Sequence, residues 1–263
     1  MTPVTLLDYV GWMPAFALVL ARLAGLAVAA PIFSSASIPR LAKVHLVVAM
    51  GLALFPAVTP ALPSGLTLAQ ALVGMFGEFA LGAALGLAVN LIVLATDVAG
   101  VIAGQQAGLA FGQMVDPLSG GDGSVLGQVY FILAGLVFLG IGGERELVRT
   151  LLDSFRVVPL TGYRPDGDTL GLLFGALAAS FVLAVQLAAP AIIALLLTAV
   201  AIGFLARTVP QLNVLSIGFS VKIVVAIVVL MGSLPMAASM LEGGFADVFA
   251  AVRAGWTRLA AGS

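Results

Sequence analysis

An all-α, polytopic membrane fold is what this sequence predicts, and three features predict it. Of 263 residues, 62% are hydrophobic and only 9% charged, against roughly 45–50% and ~25% in ordinary soluble domains. Mean hydropathy is +1.20. The apolar residues run in stretches near or beyond the ~20 needed to cross a hydrocarbon core of ~30 Å. A soluble chain of this length could not cover its surface with 11 basic and 12 acidic residues. The net charge of −1 supplies no basic field for nucleic acid. There is no cysteine, and His45 is the single histidine, which removes disulfides, thiolate metal sites and most histidine chemistry.

The apolar segments are read at 10–30, 42–59, 67–95, 98–112, 124–142, 169–206 and 213–236, followed by a tail at 240–260. The first is a membrane helix rather than a secretory signal. Arg22 is the first basic residue, Asp8 stands where a cationic region is needed, and the apolar run continues too far. No lipidation motif is present at either end, so insertion is expected from the helices themselves. Two segments fit a simple crossing badly. The 98–112 stretch is short and ends in Gly/Pro-rich sequence. The 169–206 stretch carries no charge over about two crossings and holds Pro190 near its middle, so it reads as a kinked helix or a hairpin of two. Basic residues cluster at Arg40 and Lys43 and again at Arg145, Arg149, Arg156 and Arg164. The positive-inside rule weighs these clusters toward a short broken passage at 98–112. The expected fold is therefore one membrane-embedded domain over 1–263 with broken or hairpin helices.

The segment 144–156 differs in kind. Leu147, Val148, Leu151, Leu152 and Phe155 make one helical face. Glu144, Arg145, Glu146, Arg149, Asp153 and Arg156 occupy the other, with Glu146–Arg149, Arg149–Asp153 and Asp153–Arg156 at pairing distance. An amphipathic helix is expected there, followed by a polar turn at 161–168.

Enzyme signatures are missing: no HExxH, no Gly-Lys-Ser/Thr phosphate loop, no GxSxG elbow. Gly120-Gly121-Asp122-Gly123 lacks the Gly-x-Gly-Asp order of intramembrane aspartyl proteases and reads as a turn. The chain is read as non-enzymatic, with no cofactor and no metal. Ionisable groups inside apolar helices are costly and mark sites or structural pairs. Here they are Arg22, Glu78, Asp97 and Lys222, with Asn90, Gln105, Gln106 and Gln186 as polar company. Arg22 needs a carboxylate or carbonyl partner, and Glu78 is the natural candidate. Gly74-x-x-Gly77, Gly82-x-x-x-Gly86 and the small residues around Gly100 and Gly104 suit close helix packing. In 100–124, Gln105 and Gln106, spaced glycines, Phe111 and Met114, and Asp116-Pro117 closing a helix describe either a re-entrant connection or a loop with apolar tips able to occlude a pore.

These residues carry a resemblance. Arg22-Leu23 through Ala30-Pro31-Ile32-Phe33, Ile38-Pro39-Arg40, Glu78 with Gly82 and Gly86, and Ala99-Gly100 through Gln106-Ala107-Gly108-Leu109 with Asp116-Pro117 form its first half. Ser154-Phe155 with Pro159, Ala189-Pro190, Pro210-Gln211-Leu212-Asn213-Val214, Ile217-Gly218-Phe219 and Lys222-Ile223 form the second. In this order, over about 20–258, the chain resembles the FliR/SctT family of type III secretion export-gate subunits and leans toward its flagellar branch. The resemblance implies an all-α protein packed into a helical export-gate bundle. In that bundle, about 1–168 would be a FliP-like part and about 169–263 a FliQ-like helical hairpin and tail. It implies FliP-like, FliQ-like and FlhB-like partners, unfolded flagellar subunits as cargo, and a multi-pass place in the bacterial inner membrane at the flagellar basal body. It also implies that 106–122 is a pore plug, with Phe111 and Met114 as apolar tips framed by Gln105, Gln106, Gly108, Asp116 and Pro117. The rival reading from the residues alone is a secondary transporter or channel acting singly or as a homo-oligomer, with Glu78 or Asp97 coupling an ion at broken helices.

Overall fold

A computed structural model describes residues 6–31, 39–58, 68–109, 125–163, 167–208 and 214–261. Seven α-helices account for nearly all of them: α1 Leu6–Ala29, α2 Arg40–Val58, α3 Leu68–Ala107, α4 Val125–Gly140, α5 Gly143–Val157, α6 Gly167–Thr208 and α7 Val214–Ala261. Five are long and apolar enough to cross a membrane, and α4 with α5 makes a sixth candidate span bent by 64°. The polytopic helical fold expected from composition is thus the observed one.

Three helices are longer than their apolar segments suggested. The segments at 67–95 and 98–112 are one 40-residue helix, about 60 Å long at 1.5 Å per residue. The charge of Asp97 interrupts the apolar run but not the helix, because its side chain points outward and its neighbours Ala95, Thr96, Val98 and Ala99 are compatible with helix. Among the described residues no break interrupts the chain from 98 to 107, and α3 ends at Ala107, before Asp116-Pro117. The 169–206 stretch is a single helix of 42 residues with Pro190 inside it. Ala189 and Ala191 flank that proline and provide none of the turn chemistry a hairpin needs. Likewise 213–236 and the tail join as one helix of 48 residues containing Pro235.

Contacts divide the chain into two compact units, one of residues 1–91, 142–177 and 246–263, the other of 92–141 and 178–245. In the first, α1 crosses the amino-terminal half of α3 at very short range. A Cβ added to Gly25 would meet the carbonyl oxygen of Phe79, and one added to Gly82 would meet that of Arg22. At Gly86 the nearest atoms would be Ala30 N and Leu26 O, each at 2.8 Å. The Gly82-x-x-x-Gly86 spacing puts both glycines on the face that touches α1. Leu18, Leu23, Leu26, Leu81 and Leu85 close the crossing, each at most 2% exposed. Phe16 stacks edge-on to Phe55 with centroids 5.3 Å apart, which ties α2 to α1. Most of the apolar surface of α2 faces outward, including Leu41, Val44 and Leu52.

In the second unit Ala95, Ala99 and Ala103 form the buried stripe of α3. Gly100 lies against the backbone of Gly127 on α4. Gly218 approaches Ile202 and Gly244 approaches Leu183, so α6 and α7 run antiparallel here. Phe138 packs edge-on to Phe245 with centroids 5.2 Å apart. The Tyr130 hydroxyl donates to the Leu187 carbonyl at 3.2 Å, in the turn that Pro190 deprives of a backbone donor.

The glycine crossing makes a stability prediction. Gly82→Ala forces a methyl group into backbone that has no room to yield, and is expected to cost about 1–3 kcal/mol. Gly135→Ala, in space unoccupied among the described residues, is expected to be neutral or to gain up to about 1 kcal/mol from helix propensity. Thermal unfolding of the detergent-solubilised chain checks both.

Candidate functional site

The polar centre of the first unit is built on Arg22 and Glu78. Both side chains are fully buried, 0% exposed, and the Arg22 Nε lies 2.5 Å from Glu78 Oε2. The guanidinium also donates to Ser154 Oγ at 3.0 Å and to the Val158 carbonyl at 3.1 Å. Its carbon lies 4.2 Å from the centroid of the Phe155 ring. The second carboxylate oxygen, Glu78 Oε1, accepts the Thr161 N–H at 2.9 Å. Thr161 is held in the left-handed region at φ 70°, a rare place for a β-branched residue. Four chain segments thus converge on one ion pair: α1, α3, α5 and the turn after it.

That convergence sets how α5 sits. Gly142, in the left-handed conformation with φ 71°, precedes its first residue, Gly143; Glu144 and Glu146 stand in the first turn and Arg156 in the last, as the helix dipole favours. The buried face is Leu147, Thr150, Leu151, Ser154 and Phe155. Val148 and Leu152, expected on that face, are only half-buried. The helix is turned so that Ser154 meets Arg22 and Thr150 Oγ1 donates to the Glu146 carbonyl at 2.7 Å. On the outer side Glu146 pairs with Arg149 at 2.9 Å and with the distant Arg253 at 2.9 Å, and Asp153 lies 3.5 Å from Arg156. An Arg149–Asp153 pair does not occur among the described residues; Arg149 turns to Glu146 instead.

The remaining site candidates are placed separately. Asp97 is exposed on α3 and Lys222 half-buried on α7. Gln105 and Gln106 are exposed in the last turn of α3, and Gly108 is buried beyond its end. Gly108 has φ 82°; its N–H donates to the Gln105 carbonyl at 3.1 Å, and the Leu109 N–H donates to the Gly104 carbonyl at 3.0 Å. That paired pattern with a left-handed glycine is the Schellman helix stop. Phe111, Met114, Asp116 and Pro117 lie outside the described residues.

Sequence reading singled out Arg22 and Glu78 but missed Ser154, Phe155, Val158 and Thr161 as their partners. Ser154 carries a signal, a hydroxyl on the buried register of α5 three residues after Leu151. The Val158 carbonyl and Thr161 N–H carry none, because backbone groups leave no trace in residue identity.

A cleft of about 420 Å³ in the first unit is lined mainly by small residues, among them Gly171, Gly175, Ala251 and Gly255, with Trp256 at one side. No acidic, basic or thiol side chain lines it. Among the described residues no three His, Cys, Asp or Glu side chains cluster as a metal site.

Breaking the buried pair is expected to destabilise the chain strongly. Arg22→Leu or Glu78→Ala leaves one charge buried alone, at about 3–5 kcal/mol. Glu78→Gln retains an acceptor for the Thr161 N–H and is expected to cost less than Glu78→Ala. Melting temperatures in detergent rank the three variants, and an Arg22→Leu chain as stable as the unaltered one would remove the pair as an anchor.

Comparison with known proteins follows the same core. Residues 13–248 match the family described as bacterial export proteins, family 1. The chain is 31% identical to the flagellar biosynthetic protein FliR of Escherichia coli (strain K12) over 258 residues, 95% of each chain. It is 29% identical to the protein of the same name from Bacillus subtilis (strain 168), over 82% of this chain and 85% of the relative. It is also 31% identical to the surface presentation of antigens protein SpaR of Shigella flexneri, over 59% of this chain and 60% of the relative. With the family match reaching from α1 well into α7 on a multi-helical membrane fold, the chain belongs to the bacterial export proteins, family 1, a family of transport components rather than enzymes.

Proposed function

We propose that this chain is an inner-membrane subunit of the flagellar type III secretion export gate, forming part of the channel through which unfolded flagellar subunits pass. The observation that carries this reading is the end-to-end similarity to Escherichia coli FliR, which spans 95% of both chains. The similarity to SpaR spans 59% of this chain, which favours the flagellar over the virulence branch. On this reading the chain works at the flagellar basal body with FliP-like, FliQ-like and FlhB-like subunits. Residues of about 1–168 act as the FliP-like part, and about 169–263 as the FliQ-like hairpin and tail.

Within that assembly the segment 106–122 is the pore plug. The helix stop at Gly108 supports this role, since it fixes where α3 ends and from which point the segment departs. Gln105 and Gln106 then stand at the rim, and Phe111 and Met114 fill or dewet the passage until cargo displaces them.

Two experiments test the reading. A tagged chain purified from its native host in mild detergent is expected to bring down FliP-like and FliQ-like proteins in excess over itself, identified by mass spectrometry. Recovery of a stable, monodisperse chain alone would overturn the export-gate assignment. Deletion of residues 110–115 is expected to make the assembled gate leak ions and small solutes; a tight membrane around an assembled, deleted gate would overturn the plug.

A further inference from the structure

α3 carries two carboxylates in opposite situations. Glu78 is buried and fully partnered. Asp97, nineteen residues on, is exposed and has no hydrogen-bond or ion-pair partner among the described residues. It sits within a 39-residue apolar stretch long enough to cross a membrane, where an isolated charge is costly.

Its surroundings narrow what answers that charge. At 100° per residue, Leu94, Asp97, Val98, Val101 and Gln105 fall within about one third of the helix circumference. All five are exposed, with Leu94, Val98 and Val101 at 43%, 37% and 44%. The opposite stripe, Ala95, Ala99 and Ala103, is no more than 2% exposed and packs inside the unit. The outward stripe is therefore apolar on both sides of a single carboxylate, with an amide two turns further on. Acyl chains match Leu94, Val98 and Val101 but leave the carboxylate unpaired. Water solvates the carboxylate but not the flanking valines and leucine. A second helix carrying one cation among apolar residues matches both, and a lone polar position in an apolar seam also fixes its register. Lys222, on α7 of the same unit, makes no ion pair with Asp97 in the chain itself.

We infer that the face of α3 formed by Leu94, Asp97, Val98, Val101 and Gln105 docks an apolar helix of a different membrane subunit through a lysine or arginine of that helix paired with Asp97. This inference rests on the multi-subunit reading given above, and its test separates the two. In the full-length chain, expressed in its native host with partner genes intact, a photo-reactive benzoylphenylalanine at Val98 or Val101 is expected to cross-link another integral membrane protein. The cross-linked peptide is expected to contain a Lys or Arg. Asp97→Lys is expected to lower co-recovery of that subunit about tenfold or more, and Asp97→Asn by less. Changing the mapped basic residue to Glu is expected to restore recovery in the Asp97→Lys background. The melting temperature of the isolated chain is expected to be unchanged by either Asp97 variant, because Asp97 serves no contact within it.

Cross-linking only to lipid or to a second copy of this chain overturns the inference, as does recovery of the Asp97→Lys assembly at the unaltered level. A fall in the melting temperature of isolated Asp97→Lys chain also overturns it, since the residue would then serve the fold. If the unaltered chain comes down with no other membrane subunit, the export-gate reading falls and this inference with it.

Discussion

The ion pair between Arg22 and Glu78 is the constraint on which the first unit depends. A guanidinium and a carboxylate removed from water are tolerable only when nearly every donor and acceptor is used. That requirement draws in the Ser154 hydroxyl, the Val158 carbonyl and the Thr161 N–H. It lies at the close crossing of α1 and α3, where facing backbone leaves no room for side chains at Gly25 and Gly82. The rotation of α5 follows from the same need. Its hydrophobic face would be centred differently if Ser154 did not have to point inward.

The glycines divide by what they face. Gly25, Gly82, Gly86 and Gly100 sit where a Cβ would strike backbone, so small size is a condition of the helix crossing itself. Gly171 and Gly175 have open space before them among the described residues and line the cleft beside Trp256. The polar residues divide in the same way, with Arg22 and Glu78 satisfied inside and Asp97 turned outward.

Much of this was legible from residue types. Composition and run length identified a polytopic helical membrane protein, and the cost of burying charge singled out Arg22 and Glu78. The amphipathic 144–156 segment appears as α5. Interruptions were less legible. The gap between the apolar segments at 67–95 and 98–112, where Asp97 stands, does not divide α3, since a charge on the outer face leaves backbone hydrogen bonding untouched. At Pro190 the sequence left one long helix or a hairpin of two open, and the single helix is the one observed, because one proline between alanines supplies no turn chemistry. Gly108 was one glycine among 31 until its left-handed φ showed it ending α3. Conformation, unlike composition, is not written into a single residue.

Separation along the chain also bears on how this protein is made. Arg22 precedes Glu78 by 56 residues and Ser154 by 132. At about 5–20 residues per second of synthesis, the first interval lasts roughly 3–11 s. For that time α1 carries a cation whose carboxylate partner has not yet been made, at a cost of about 2.5–3.5 kcal/mol for an arginine at the centre of a membrane helix. The Arg22–Glu78 pair, and the polar centre built around it, can therefore close only after the first half of α3 has been made.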